Sequence, residues 1–239
     1  MSFQLSQATG SSVCGGASRK VKLGKKMVTI YVGPDDEPFV IHRNLITISS
    51  DFFAKAMGGS FQEKEGTIRL PLYTSDLFEN YMQWLYEGPL SLPRLEGKKG
   101  GTVPKGRFEL FFALYELGTF IQDRCFQNTI IDAFIDHVLL SNKYPIHLPA
   151  AACQQLPMSS SLCRLLVDFY AYGCTEAWYD SAKARTAPKE FWIEVGRTSA
   201  GLLHNKIDAR KSRPWIVDRC RYHEHSEGEG KCGAAFVNS

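Results

Sequence analysis

Apolar and polar residues alternate near the start of the chain in two short stretches. Val28, Ile30 and Val32 are separated by more polar residues, which is the period of two expected of a β-strand. Gly33-Pro34-Asp35-Asp36 then predicts a turn. Phe39–Ile41 is a second short apolar run, so the pattern predicts a β-hairpin.

The spacing of apolar residues becomes helical after His42. It predicts two short helices, and Ser49-Ser50-Asp51 offers side chains that can cap the second one. Thr67–Leu72 alternates again and predicts a third strand. An amphipathic helix follows, with Thr74 suited to its start and Gly88 to its stop. Its apolar positions are Leu77, Phe78, Tyr81, Met82, Leu85 and Tyr86. The pattern therefore predicts a small α+β unit that buries one helix face on a short sheet.

Only helical periodicity is evident farther along the chain. Phe108–Phe120 and Phe126–Leu139 predict two strongly apolar helices. Leu162–Tyr172 and Phe191–Leu203 predict two more, and Pro188 suits the start of the last one. Helices in series without a domain-sized break indicate a compact α-helical extension packed on the first unit.

A series of short motifs in the first third of the chain follows the order and spacing of a known domain family. The markers, in order, are Val32-Gly33, Phe39-Val40-Ile41-His42, Leu45, Ser50 with Phe52 and Phe53, Phe61-Gln62-Glu63, Ile68-Arg69-Leu70 and Leu85-Tyr86-Glu87-Gly88. Their order and spacing resemble the BTB/POZ domain. The whole chain resembles the stand-alone, helix-extended BTB proteins abundant in filamentous fungi. The resemblance implies an α+β fold, a short sheet capped by a helical cluster, and a function in binding other proteins.

The resemblance and the composition together predict four segments. Residues 1–26 are expected to be a disordered basic tail, and residues 27–140 the BTB/POZ domain, with a flexible Gly/Lys loop at 93–107. Residues 141–215 are expected to form the α-helical extension. Residues 216–239 are expected to be a C-terminal tail containing cysteine and histidine.

The resemblance also implies partners. Scaffold-binding BTB domains use an apolar-x-Glu element to contact a cullin-type ubiquitin-ligase scaffold, and Phe61 and Glu63 match it by type and place. The predicted function is therefore a non-enzymatic protein–protein interaction module that serves as a substrate adaptor for such a ligase. The alternative is a nuclear, transcription-associated regulator that acts through protein partners and uses the basic run Arg19–Lys26 for import.

Two departures from the family pattern produce further expectations. Many BTB domains have an aspartate before the first strand that lines a corepressor pocket, but Met27 occupies that position. We therefore expect no corepressor pocket of that kind. Residues 1–26 have no apolar period, so a homodimer, if it forms, is expected to use core helices rather than an exchanged strand.

Composition restricts the compartment. The chain has 239 residues, of which 44% are hydrophobic, and can support one or two domains with a sizeable core. Its seven cysteines are odd in number and scattered, which favours a reducing compartment over a disulfide scaffold. We expect no membrane partner, since no apolar run is long enough to span a bilayer, and no secretory signal. The predicted location is cytoplasmic or nuclear.

The net charge of +3 is unevenly distributed. Residues 1–26 carry five basic and no acidic residues, and residues 93–107 carry five basic residues and one acidic residue. The rest of the chain therefore has a net charge of −6. Because no aromatic residue alternates with the basic residues, a nucleic-acid partner is not expected.

The sequence contains no catalytic constellation. It lacks a nucleophile elbow, a zinc-protease motif and a Walker loop, so we expect neither an enzyme nor a catalytic cofactor. His42, at a strand-to-helix junction, is expected to be a hydrogen-bonded structural histidine. Cys125, Cys153, Cys163 and Cys174 are expected to pack as small hydrophobic residues.

One candidate metal site remains, near the C-terminus. Cys220-x2-His223 has the spacing of a zinc half-site, and His223 and His225 share one face of an extended chain. Cys232 could complete a Cys2His2 set. These four residues are the predicted ligands of one structural Zn²⁺. The alternative is a charged tail in which the four residues have no metal.

Overall fold

The computed structural model describes residues 23–58, 67–88, 106–180 and 184–225. Three strands form one sheet in the order β2-β1-β3: β1 (Met27–Val32), β2 (Glu37–His42) and β3 (Thr67–Leu70). β1 pairs antiparallel with β2, with Ile30 opposite Phe39. β1 pairs parallel with β3, with Ile30 opposite Ile68. The predicted hairpin and third strand are therefore present, although β3 ends at Leu70 rather than Leu72.

The turn between β1 and β2 has backbone geometry that suits its residues. Gly33 (φ 80°) and Asp36 (φ 52°) both have positive φ, which glycine adopts freely and aspartate tolerates. The Asp36 N–H donates to the Gly33 carbonyl at 3.2 Å, and the Gly33 N–H donates to the Leu70 carbonyl at 3.1 Å. The turn is thus tied to β3 as well as to the hairpin.

Helices α1 (Arg43–Ser49), α2 (Asp51–Gly58) and α3 (Ser75–Glu87) follow the strands. The Ser50 hydroxyl accepts from the Phe53 N–H at 3.2 Å, so the predicted cap of α2 is confirmed. Thr74 caps α3 by accepting from the Leu77 N–H, and Gly88 ends α3 with φ 89°. α3 lies over the core with its apolar face buried, and the buried residues are Leu77, Phe78, Tyr81, Trp84 and Leu85.

A pair of long helices completes the first part of the core. They are α4 (Arg107–Phe120) and α5 (Arg124–Ser141), and both contain mostly buried apolar residues. Asp123, fully buried, caps α5 by accepting from the Phe126 N–H at 2.9 Å. Its other carboxylate oxygen accepts from the Ser49 hydroxyl at 2.5 Å and the Tyr81 hydroxyl at 2.9 Å. One buried side chain therefore joins α1, α3 and α5.

The rest of the described chain is helical. Its elements are α6 (Leu148–Gln155), α7 (Ser161–Gly173), α8 (Glu176–Asp180), α9 (Lys189–His204), α10 (Pro214–Val217) and the 3₁₀ turns Ala184–Thr186 and Arg219–Tyr222. α7 is buried along most of its length and contacts α6 and α9. Pro188 is the N-cap of α9, as predicted. The buried side chains form one continuous cluster from β1 to Tyr222, so this region packs on the first unit without a separate core.

The structure agrees with the α+β class followed by a helical extension. The predicted segment boundaries at residues 26, 140 and 215 stay predictions. Residues 1–22 and 89–105, which include most of the predicted basic tail and Gly/Lys loop, lie outside the described residues. In the described part of the chain, no helix is both long and apolar enough to cross a membrane.

Candidate interaction surface and metal centre

His42 has a structural partner at the end of β2. Its Nδ1 lies 2.9 Å from the Tyr86 hydroxyl, and its backbone N–H donates to the same oxygen at 3.2 Å. The two rings also meet edge to face, with centroids 5.9 Å apart. The interaction joins the end of β2 to the last turn of α3, which confirms that His42 is a hydrogen-bonded structural residue.

The predicted partner contacts Phe61 and Glu63 lie outside the described residues. The described chain bounds them on both sides, because α2 ends at Gly58 and β3 begins at Thr67. What the structure describes is the surface contributed by these neighbouring elements.

A cluster of three partly exposed aromatic residues belongs to that surface. Phe52 of α2 and Tyr73, which follows β3, each have their ring centroid 5.3 Å from that of Phe120 at the end of α4. Phe120 is 44% exposed. Leu72, which precedes Tyr73 in the chain, is 89% exposed. We call Phe52, Tyr73 and Phe120 the aromatic patch. Exposed aromatic clusters are enriched at protein interfaces, where each large ring buries much area on binding.

Two residues at the edge of the aromatic patch, Tyr73 and Glu116, have raised pKa values. Burial, followed by the nearby Glu116 carboxylate, raises the pKa of Tyr73. Burial also raises the pKa of Glu116. The tyrosine therefore stays a hydroxyl donor at neutral pH, which suits a polar contact at the rim of an apolar surface.

A basic groove lies beside helices α1 and α2. It has a volume of about 560 Å³ and is lined in part by Lys25, Lys26, Arg43 and Met57. The Arg43 guanidinium donates to the Met57 carbonyl at 2.6 Å, which ties α1 to α2. Arg43 therefore has a structural role in addition to any contact it makes with a partner.

Three of the predicted metal ligands meet in the C-terminal segment, defined here as residues 214–225. Cys220 lies in the 3₁₀ turn, and the His223 N–H donates to the Cys220 carbonyl at 3.0 Å. His223 is extended (φ −90°, ψ 149°). One ligand atom from each of Cys220, His223 and His225 lies within 4.8 Å of the other two. The fourth predicted ligand, Cys232, lies outside the described residues.

Acidic residues of α5 face this cluster. His223 Nε2 lies 3.2 Å from Asp132 Oδ1, and only 7% of the His223 side chain is exposed. The Arg219 guanidinium lies 2.6 Å from Asp136 and 3.9 Å from Asp132. Because residues four apart on a helix share a face, Asp132 and Asp136 together hold the turn that carries Cys220.

The C-terminal segment is also joined to α5 and α7 by neutral contacts. Asn128 and Glu224 exchange two hydrogen bonds: the Glu224 N–H donates to Asn128 Oδ1 at 2.8 Å, and the Asn128 amide donates to the Glu224 carbonyl at 3.0 Å. The Tyr222 ring is fully buried, and its hydroxyl donates to Asp168 of α7 at 2.5 Å. The segment therefore lies between the first unit and the helical extension and contacts both.

Asp168 gives stability a pH dependence. Burial raises its pKa above the ordinary value of 3.8, against the smaller lowering effects of Tyr222, Arg221 and Arg164. A raised folded-state pKa means that its contribution to stability is full below the ordinary value and is lost as pH rises through the raised pKa. The difference in unfolding free energy between wild type and Asp168→Asn should therefore fall as pH rises from about 4, measured by urea titration at a series of pH values. A difference that grows with pH would contradict this.

Cysteine packing is mostly as expected, with one exception. Cys153, Cys163 and Cys174 are reduced thiols packed in or against the core. Cys125 packs against the core too, as expected, but it is disulfide-bonded and is therefore not the thiol that was predicted. Its partner is not among the described residues. Sequence spacing alone gives no signal for such a bond, because a disulfide depends on which distant segments the fold brings together.

Several residues at the C-terminal segment were missed by sequence reasoning. They are Asn128, Asp132, Asp168, Arg219 and Tyr222. The only signal available was the i, i+4 pair of aspartates at 132 and 136, and such pairs are common on solvated helix faces. Their partners are distant in the chain, so only the fold identifies them.

Comparison with protein families decides the class. Residues 23–99 match the model of the BTB/POZ domain. The chain has a BTB/POZ domain. The match covers β1 to α3 and confirms the resemblance drawn from the marker residues. No match was found among curated proteins. BTB/POZ domains are generally protein–protein interaction modules rather than enzymes, and they often dimerise.

Proposed function

We propose that this BTB/POZ protein is a non-enzymatic substrate adaptor for a cullin-type ubiquitin ligase. The observation that carries the proposal is the BTB/POZ match at residues 23–99, because it assigns the first unit to a class of interaction modules. The scaffold would bind the BTB/POZ domain, and the helical extension would recognise the substrate.

The aromatic patch supports a scaffold contact on this side of the domain. Phe52 lies on α2, in the helix that precedes the segment with Phe61 and Glu63, and Tyr73 follows the strand after that segment. A partner that binds the apolar-x-Glu element could therefore also cover the rings of the patch. The carboxylate of Glu63 would provide orientation, and the apolar rings would provide most of the buried area.

The helical extension has exposed apolar residues that suit a second partner. On α9, Ile193 is 54% exposed and Leu203 is 80% exposed. The extension is packed firmly on the BTB/POZ domain through the C-terminal segment. A substrate bound there would be held at a fixed position relative to the scaffold, which is what an adaptor requires.

Co-purification with the cullin scaffold tests the proposal. Phe61→Ala combined with Glu63→Ala should lower scaffold affinity at least about fivefold, because truncating an interface anchor commonly costs over about 1 kcal/mol. The affinity is measured by titration of purified scaffold into the full chain. Phe120→Ala should also weaken binding if the aromatic patch is covered.

A matched control variant distinguishes loss of a specific scaffold contact from a general effect of removing exposed side chains. Leu203→Ala combined with Glu176→Ala removes an exposed apolar and an exposed acidic side chain from the helical extension. This variant should bind the scaffold like wild type. Unchanged affinity in the Phe61→Ala, Glu63→Ala variant, or no scaffold binding by a folded wild-type chain, would exclude the scaffold contact.

The alternative function, a nuclear regulator that acts through protein partners, depends on Arg19–Lys26. Half of that run, residues 19–22, lies outside the described residues, and the alternative stays a hypothesis from the sequence. Self-association through core helices likewise stays a prediction.

A further inference from the structure

We propose that Cys220, His223 and His225 bind a Zn²⁺ ion that fastens the C-terminal segment to α5. The proposal is independent of the partner that the BTB/POZ domain binds.

The ligand atoms already have nearly the separation that a tetrahedral ion requires. Sulfur at about 2.3 Å and nitrogen at about 2.0 Å from a tetrahedral zinc lie roughly 3.5 Å apart. Cys220 Sγ and His225 Nε2 are 3.1 Å apart, and all three ligand atoms lie within 4.8 Å of one another. Small shifts of side chains are therefore sufficient to accommodate the ion.

The local backbone explains how these ligands converge. Cys220 lies in the 3₁₀ turn Arg219–Tyr222, and the residue that follows the turn, His223, is extended. Tyr222, which lies between Cys220 and His223 in the chain, is fully buried, and its hydroxyl donates to Asp168 of α7. The turn is thus fixed by contacts other than a metal. This reduces the conformational-entropy cost of ordering the ligands when a metal ion binds.

Asp132 of α5 provides the outer contact that zinc-bound histidines usually have. Its carboxylate lies 3.2 Å from His223 Nε2. A carboxylate bonded to the far nitrogen fixes the orientation of the ring and raises its basicity as a ligand. Through this pair, the ion in the C-terminal segment would be connected directly to α5.

The donor set selects the metal. One thiolate and two imidazoles favour zinc over the oxygen-binding cations Mg²⁺ and Ca²⁺. The ligands are partly buried, and His223 and His225 line a groove of about 670 Å³ together with Tyr115, Gln127 and Arg164. A metal at this place would stabilise the junction between the BTB/POZ domain and the helical extension.

Metal analysis of the full chain tests the inference. The protein is purified with reductant and without a metal-affinity tag, dialysed against zinc, and washed free of excess. It should retain about one zinc per chain, and Cys220→Ser combined with His225→Asn should retain almost none. Cys174→Ser combined with His204→Asn, which removes the same residue types elsewhere, should retain zinc like wild type.

A pair of α5 variants tests the outer contact. Asp132→Asn should weaken zinc affinity about 10- to 100-fold. Asp136→Asn, which loses an Arg219 contact but no His223 contact, should leave it nearly unchanged. Wild-type protein with no bound zinc, or equal zinc affinity in wild type and the Cys220→Ser, His225→Asn variant, would overturn the proposal.

If the ligand variants fail to fold, the absorption spectrum of the cobalt-loaded wild-type protein provides a test that needs no variant. Wild-type protein loaded with Co²⁺ should show thiolate-to-cobalt charge transfer and the strong d–d absorption of a tetrahedral site. A weak octahedral spectrum without thiolate charge transfer would overturn the proposal as well.

Discussion

Replacing Asp123 with alanine should lower the free energy of unfolding by about 3–5 kcal/mol. The carboxylate is fully buried, caps α5, and accepts from Ser49 and Tyr81. Loss of an N-cap alone costs about 1 kcal/mol, and each buried donor that loses its acceptor costs roughly 1–3 kcal/mol more. Because the contacts join three helices, the whole BTB/POZ domain should be destabilised. Urea-induced unfolding followed by circular dichroism measures the change.

Two control variants separate the stability contributed by the N-cap from the stability contributed by the buried hydrogen bonds of Asp123. Thr74→Ala removes the cap of α3, which has no comparable network, and should cost only about 1 kcal/mol. Asp123→Asn keeps an acceptor for the Phe126 N–H and should lie between the two. An Asp123→Ala variant no less stable than Thr74→Ala would show that the buried network contributes little.

Trp215→Ala should also cost about 3–5 kcal/mol, the usual range for removing a buried large aromatic side chain. Trp215 is fully buried in α10 and packs edge to face on Phe169 of α7, with centroids 4.8 Å apart. It also meets Tyr144 and Tyr172. The loss should be concentrated in the C-terminal segment. Hydrogen exchange would therefore accelerate at residues 214–225 and α7 while the sheet stays protected.

Neighbouring positions supply the controls for Trp215. Ile216 and Val217 in the same helix are 54% and 71% exposed, and their alanine variants should stay within about 0.5 kcal/mol of wild type. Trp215→Phe should recover much of the loss, because the indole N–H has no hydrogen-bond partner among the described residues. Equal exchange rates at residues 214–225 in wild type and Trp215→Ala would mean that Trp215 does not hold the segment.

Locally determined features could be predicted from the sequence. The cap by Ser50, the cap by Thr74 and the stop at Gly88 each depend on side chains within a few residues, and all three are present. The parallel pairing of β1 with β3 could not be predicted, because it joins strands separated by two helices. Helices α8 and α10, with five and four residues, are too short to produce a clear apolar period.

The residues of the candidate metal centre likewise fall into those that the sequence could predict and those that it could not. Cys220, His223 and His225 could be identified because short spacing is visible in the sequence. Asp132 and Asn128 could not, because they are 91 and 96 residues from His223 and Glu224. Contacts of that separation are determined by how α5 packs in the finished fold. The aromatic patch could not be predicted for the same reason, because two of its members, Phe52 and Phe120, belong to different helices.

The position of the C-terminal segment also has a consequence for biosynthesis. Domains tend to fold from the N-terminal side as the chain is made, so α5 and α7 exist before residues 214–225 have been added. Until then, the ring of Phe169 and the polar groups of Asn128 and Asp132 lack the partners that cover them in the finished protein. A nascent chain that stops short of residue 214 would therefore leave these side chains open to chaperones and quality-control proteases.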